Sequence, residues 1–394
     1  MLQRTAMMVA VGLLLAAGGF ANDQATQDAE RAARLAQLEQ RKEIQRLRQL
    51  AGGRDVEQSL EAMAELEKLG EPARDDLIRV LQSAMDKTER EAGRYMKKAG
   101  SLDHTAKIEE KLKAERDAAW ENLGQLHKGE PVTLAHQHYD ALKQLYTTLA
   151  PMYEVRVRIA ELLMLRAKYV PMWERVAPAD EKSKWSQDQD QFAEQVKDTL
   201  GLSVDDAMDA VDFQRYPAAS DPAAWSLWHY AACEQIDAYN KEHMRQFMDR
   251  GEWDNAEMVN AYRRWLGVLP YELDERLIQS ARRHSKEMVD KNYFSHTSPT
   301  PGKETFSQRT ANAGYDQGSA ENIAAGSASG RDTFWQWFDS PGHHVNMTRP
   351  SGVALGVGRW STTWTQNMGA GVRLMLMTDA ERAQIKVKGD ILKP

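Results

Sequence analysis

The chain has 394 residues, 28% charged and 42% hydrophobic, and its 51 Lys+Arg against 58 Asp+Glu give a net charge of −7. That length exceeds one ordinary domain and the apolar content exceeds that of a disordered chain, so two or three folded units are expected; the acidic, mixed-sign balance argues against nucleic acid as a partner. The single cysteine, Cys233, excludes an intrachain disulfide and a Cys-based zinc cluster, so any metal would need His or carboxylate ligands.

Arg4 precedes an uncharged apolar run from Thr5 to Phe20, and the small residues Gly19 and Ala21 stand just before Asn22-Asp23. This is the pattern of a cleaved secretory signal at residues 1–21. A membrane anchor is the alternative, but the run falls short of the ~20 apolar residues that a bilayer core requires. No cysteine follows for lipid attachment, and no later segment has the length and apolarity of a span. The mature chain is expected to be secreted or periplasmic, without a transmembrane segment.

Residues 22–252 read as an all-α, irregular helical region, with a break into sub-bundles near 170–220. Ala, Glu, Lys, Leu, Arg and Gln dominate, and Ile108, Leu112, Trp120 and Leu123 recur at helical spacing. Gly52-Gly53, Pro72, Gly100, Gly129 to Pro131, Pro151, Pro171, Pro178, Pro217 and Pro222 punctuate it into helices expected to run mostly two to six turns. Asn22 to Leu50 is a polar helix with a weak stripe of Leu35, Leu38, Ile44, Leu47 and Leu50. Ser59 to Gln82, around Gly70-Glu71-Pro72, reads as one helical hairpin resembling a single HEAT repeat, without a second copy at a fixed period. His136 and His138, two apart on a helix, diverge and do not form a metal pair.

After about Asn255 glycines become frequent and short β-like runs appear. Residues 256–378 are expected to form an α+β domain, with 379–394 as a C-terminal tail. Helices are expected at Glu257–Leu266, Leu273–Lys291, Thr305–Ala313 and Arg331–Phe338. Strands are expected at Val353–Trp360, Thr363–Met368 and Val372–Met377, in a small antiparallel sheet. Three stretches concentrate polar side chains where a helix or strand has ended: Tyr293 to Pro299, Glu321 to Gly326, and Ser340 to Met347. Loops on a rigid scaffold are where sites sit, so these two imidazole-bearing stretches and one carboxylate-bearing stretch are candidates to converge.

The order Asn260, Arg263, Gly267, Leu273, Leu277, Ala281, His296, then Glu321-Asn322, Gly342-His343, Gly356-Val357-Gly358 and Trp364-Thr365-Gln366-Asn367 resembles the CAP superfamily. That group includes pathogenesis-related proteins, cysteine-rich secretory proteins and bacterial SCP-like proteins. Tyr-Phe-Ser-His-Thr-Ser-Pro and Ser-Pro-Gly-His-His-Val-Asn-Met resemble the bacterial subtype. The likeness runs from about Met258 to Met377 and leaves the helical region untouched. It implies an α-β-α sandwich whose central cleft is lined by two His and two Glu. His296, Glu321 and His343 fall on three of these places. The fourth lacks its Glu, and Asp339 is the nearest acid.

Two facing imidazoles, His296 and His343, can hold a borderline cation such as Zn²⁺, with Glu321 fixing a His tautomer or acting as base toward a metal-bound water. Equally, the three can form a polar core network. His343 is taken as the cleft residue and His344 as its diverging neighbour. Asn322, His344, Gln366 and Asn367 are further ligand-binding candidates. Ser295 and Ser298 adjoin His296, but no Gly-x-Ser-x-Gly elbow accompanies them. The expected function is binding of an extracytoplasmic ligand (a lipid, peptide or cell-envelope fragment) in the cleft, modulated by divalent metal. The alternatives are a metal-assisted hydrolase, with His296 and His343 as ligands and Glu321 as general base, and an adaptor whose helical region binds an envelope protein.

Overall fold

The computed structural model describes residues 22–126, 132–215 and 221–393. The signal-like run of residues 1–21 and the turn residues Gly129, Pro131 and Pro217 lie outside them. Packing divides the chain into two compact units, one made of residues up to Gly93 with Leu162–Gln191 and the other of Arg94–Glu161 with Phe192 onward. This division does not follow the change of sequence texture near residue 255.

In the first unit, α1 (Asn22–Ala51), α2 (Val56–Leu69) and α3 (Arg74–Met96) meet the later part of α5 (Thr133–Val176) and most of α6 (Ala179–Leu200). Asp55 caps α2 by accepting from the Gln58 N–H, and Gly70, at φ 69°, ends it before Pro72 opens a short 3-10 turn. Ile44, Leu47, Met63, Leu66, Leu77, Leu81 and Met85 bury against Tyr169 and Trp173. Leu35 and Leu38 of the α1 stripe stay exposed, because only the last two turns of that helix reach the core.

α5 corrects one expectation: at 44 residues it is far longer than six turns and runs through Pro151 and Pro171 without ending. Each proline forfeits a backbone hydrogen bond, at a cost of about 3 kcal/mol in an isolated helix. Burial of Leu142, Leu149, Tyr153, Tyr169 and Trp173 along the same helix offsets that cost.

In the second unit the helical residues from α4 (Leu102–Leu126) and the first part of α5 share one core with the C-terminal region. Tyr139 of α5 packs against Trp265 at 5.1 Å, Trp335 at 4.9 Å and Tyr262 at 5.3 Å between ring centroids. Arg116 donates to the Trp265 carbonyl (2.7 Å) and the Trp120 indole to that of Leu266 (3.1 Å). These bonds cap the end of α9 (Arg250–Trp265), which begins with a capping box between Asp249 and Glu252. Between α6 and α9, α7 (Val204–Asp209) and α8 (Pro222–Tyr239) complete the helical part, α8 starting at the N-cap Asp221.

The sheet has four strands in the order β1-β3-β4-β2: β1 (Glu272–Leu273), β2 (Gly318–Ala325), β3 (Ala354–Trp360) and β4 (Thr363–Gly369). β2 and β3 flank β4 antiparallel, but β1 pairs β3 in parallel, so the sheet is mixed rather than purely antiparallel. The expected strand at Val372–Met377 is instead a 3-10 turn over Leu374–Leu376. Glu321–Ala325, read as a loop, is strand. Helix α10 (Glu275–Asp290) crosses the sheet so closely that a Cβ on Gly356 would lie 2.1 Å from the Leu277 carbonyl carbon, and one on Gly358 2.3 Å from the Arg282 nitrogen. Only glycine permits that approach. On the opposite strand face, Leu355 and Val357 join Val259 and Tyr262 of α9, Phe334 and Phe338 of α12 (Gly330–Phe338), and Met347 of α13 (Pro341–Thr348). Helices therefore cover both faces, giving the expected α+β sandwich. Residues 388–392 fold back over α10: Leu392 accepts from Gln279 and Arg282, and Lys388 bonds Ala313.

Candidate functional site

Glu321 projects from the middle of β2 and its side chain is only 3% exposed. His296, on the loop after α10, brings its Nδ1 to 2.9 Å from Glu321 Oε1. Arg309 of α11 (Phe306–Asn312) reaches both carboxylate oxygens from one guanidinium nitrogen, at 2.8 Å each. With the Asn367 amide oriented to suit its neighbours, its nitrogen donates to Glu321 Oε2 (3.2 Å) while its oxygen accepts from Ser280 Oγ and the Ala281 N–H. Burial alone would raise the Glu321 carboxyl; the His296 bond and the Arg309 charge overcome it and hold the group below its ordinary value of 4.5. An ionised Glu321 accepts only, so the His296 proton sits on Nδ1. Nε2 is then free to accept or ligate on a ring whose side chain is 53% exposed.

His343, in the first turn of α13, is half-buried, and burial followed by the neighbouring charge of His296 lowers it below 6.5. Asn322 beside Glu321 on β2 donates to the His343 carbonyl (3.1 Å). Asn322 accepts from Asn346 (2.9 Å) and also donates to Gln366 (3.1 Å), and Gln366 donates to Asn255 (2.8 Å). Asn322, Gln366, Asn367 and His344 are wholly enclosed. They brace the walls and offer no ligand a surface, contrary to the expectation of direct contact. His344 donates from Nδ1 to the Phe338 carbonyl (2.8 Å) and accepts from the Tyr262 hydroxyl (3.1 Å). Asp339, the next residue along from Phe338, is exposed and bonded to His136 (2.6 Å), and it makes no bond to His296 or Glu321.

A second polar layer lies behind His296. His284 of α10 donates from Nε2 to the Ser295 carbonyl (3.1 Å), and burial holds it neutral, its pKa lowered to about 4. Burial would raise the Glu287 carboxyl, but Thr300, Ser298, Lys291 and Tyr293 all donate to it and bring it down to about 2. Ser298, whose hydroxyl bonds Glu287 (2.7 Å), is thereby committed to the loop and not to His296. His284, Glu287 and Arg309 also line a cavity of about 600 Å³.

These bonds limit what Glu321 can do chemically. Three donors fill its oxygens with four bonds, so it orients His296 and lacks the free lone pair and basicity required of a general base. The residues also do not fit a resident zinc centre: among the described residues no group of three or more His, Cys, Asp or Glu converges on one point. Two histidines remain, one with its ring held by a hydrogen bond to Glu321. Sequence reasoning missed Arg309, the residue that locks Glu321. The one available signal was an arginine in a short helix opened by the Thr305/Gln308 capping box, on an otherwise polar face.

Residues 256–368 match the family model of the cysteine-rich secretory protein family, CAP, so the C-terminal region carries a CAP domain. The uncharacterized protein YkwD of Bacillus subtilis (strain 168) is 38% identical over 113 residues, 28% of this chain and 44% of that relative. The uncharacterized membrane protein YlbC of the same organism is 28% identical over 130 residues, 33% of this chain and 37% of YlbC. The matches thus span less than half the length of these curated relatives. Among solved structures, an extracellular protein containing a SCP domain from Bacillus anthracis str. Ames is 26% identical, covering 40% of this chain and 49% of that one, with a TM-score of 0.28. An outer surface protein from Borrelia burgdorferi is 17% identical, covering 32% of this chain and 97% of that one, with a TM-score of 0.28.

Proposed function

We propose that this chain is an extracytoplasmic binding protein whose CAP domain captures an amphipathic ligand, a lipid or cell-envelope fragment, at the partly exposed surface of His296 and His343. The observation that carries the reading is the fixed tautomer of His296: an ionised Glu321, held by four bonds, accepts Nδ1–H and leaves Nε2 outward as an acceptor. Beside it Phe294 is 53% exposed, an apolar shoulder on the same loop. A polar acceptor next to an exposed ring suits a ligand with a hydroxyl or amide head and an apolar body. The signal-like run before residue 22 supports an extracytoplasmic location, and no helix among the described residues is long and apolar enough to cross a membrane.

Saturation of Glu321 weighs against metal-assisted hydrolysis, which needs that carboxylate as base. The test uses full-length protein with imidazole ¹⁵N resonances as the readout and two probes, lysophospholipid micelles and soluble peptidoglycan fragments. One probe is expected to shift His296 and His343 saturably, and a His296→Gln/His343→Gln variant to bind it at least about tenfold more weakly. Unmoved His296 and His343 resonances with both probes would remove the proposal.

A further inference from the structure

A separate cavity of about 220 Å³ lies in the helical part of the second unit, lined by Leu102, Leu200, Leu202 and Leu227 with Glu109, Tyr153 and Arg156 among others. Its apolar wall is ordinary; its arginine is not. Arg156 is 5% exposed, and all three guanidinium nitrogens are buried with no hydrogen-bond partner among the described residues. An unpaired buried guanidinium is among the costliest groups a fold can carry.

The acids around it do not bond it. Glu109, a partly buried acid on the cavity wall, accepts from the Tyr153 hydroxyl (2.9 Å) and feels two guanidinium groups, Arg156 and Arg116. Arg116 is already bonded to the Trp265 carbonyl. Asp103 also borders the cavity, but it is exposed at the rim, where water screens it. Arg116 does not line the cavity, Glu109 is only partly buried, and Arg156 is the buried charge that borders the apolar hollow with no bonded counter-charge among the described residues.

We infer that this cavity is a binding site for a small monocarboxylate, its carboxylate received by Arg156 and its hydrocarbon body by Leu102, Leu200, Leu202 and Leu227. A carboxylate supplies the planar acceptor pair that a guanidinium fork matches, and its negative charge is the bonded counter-charge that Arg156 lacks. The volume, equivalent to about seven waters at ~30 Å³ each, is below the ~300–1,000 Å³ of drug-sized pockets and sets the ligand to a short aliphatic acid. The cavity shares no lining residue with the surroundings of His296 and does not depend on the reading given to them.

The test is calorimetric and thermal titration of the full chain with sodium hexanoate, against hexylammonium chloride and inorganic phosphate. Hexanoate is expected to bind saturably and raise the melting temperature, while the other two do neither. Arg156→Leu is expected to fold at least as stably as the parent, since it removes an unpaired charge, and to lose at least about tenfold in hexanoate affinity. Equal hexanoate binding by parent and variant, or none by the parent, overturns the proposal. So does an Arg156→Leu chain that fails to fold, because Arg156 would then have a structural partner within the protein. Arg156→Lys keeps the charge but not the fork, and retention of weakened hexanoate binding is expected of it; unchanged affinity would remove the role of the fork.

Discussion

Two regions of the second unit treat buried arginine in opposite ways. Around the sheet, Arg263 spends its guanidinium on the carbonyls of Leu269, Met347, Arg349 and Gly352, and Arg282 on Glu252, Phe247 and Leu392. Both are essentially inaccessible. In the helical part, Arg156 is nearly as buried and bonded to nothing described. The sheet arginines clamp loop ends whose carbonyls would otherwise be orphaned, so their charge is structural cement. A residue like Arg156, which contributes desolvation cost without a bond, has its compensation elsewhere.

The contrast is broken most severely by removing a cemented arginine. Arg282→Met leaves the wholly buried Glu252 uncompensated and is expected to lower stability by about 3–5 kcal/mol in denaturant unfolding, a loss that a value near zero would refute. Acidification should strike the same region next. Burial lowers both His284 and His344 from 6.5 to about 4. Each folded pKa lies below its unfolded value, so the unfolded chain binds more protons across that window. Stability is therefore complete above about pH 6.5 and falls as pH drops toward 4, by on the order of 3 kcal/mol for each histidine. His344→Gln should flatten the slope measured by unfolding at stepped pH.

Glu321→Gln sharpens the comparison at the candidate site. It leaves Arg309 without its ionic partner and is expected to cost about 1–3 kcal/mol, with loss of the single Nδ1–H tautomer of His296 seen in its ¹⁵N shifts. Because Glu321 is held below 4.5, its contribution is present above that pH and disappears as pH falls through the lowered value. Arg156→Leu lies at the other end of the scale, with stability unchanged or raised by about 1 kcal/mol.

Much of this architecture was legible in the sequence. Helical periodicity located α9 to α12, the Gly356-Val357-Gly358 run fell on a strand that a helix crosses closely, and motif order identified the CAP domain. The Glu321 segment was missed as a strand because residues 320–324 are buried on both faces, and Glu321 and Asn322 are there to bond other polar groups. A strand of that kind shows no alternation of polar with apolar residues. The parallel β1 escaped for a different reason: two residues are too few to leave a periodic signal. Pro341–Thr348 read as a loop since Pro-Gly opens it, although proline at the first helical turn is permitted.

The sequence by itself determined the helical character of residues 22–252, the α+β character of the remainder, and the likeness that joined His296, Glu321 and His343. Those depend on local periodicity and on motif order, both of which are written along one dimension. Only the tertiary structure decided that Arg309 and Asn367 immobilise Glu321, that Asp339 pairs with His136, that Asn322 and Gln366 are enclosed, and that Arg156 has no hydrogen-bond partner among the described residues. Each of these turns on which polar atoms meet across distant segments and which are sealed from water. Nothing in a run of neighbouring residues encodes that, because the energy of a buried charge is set by its surroundings in space.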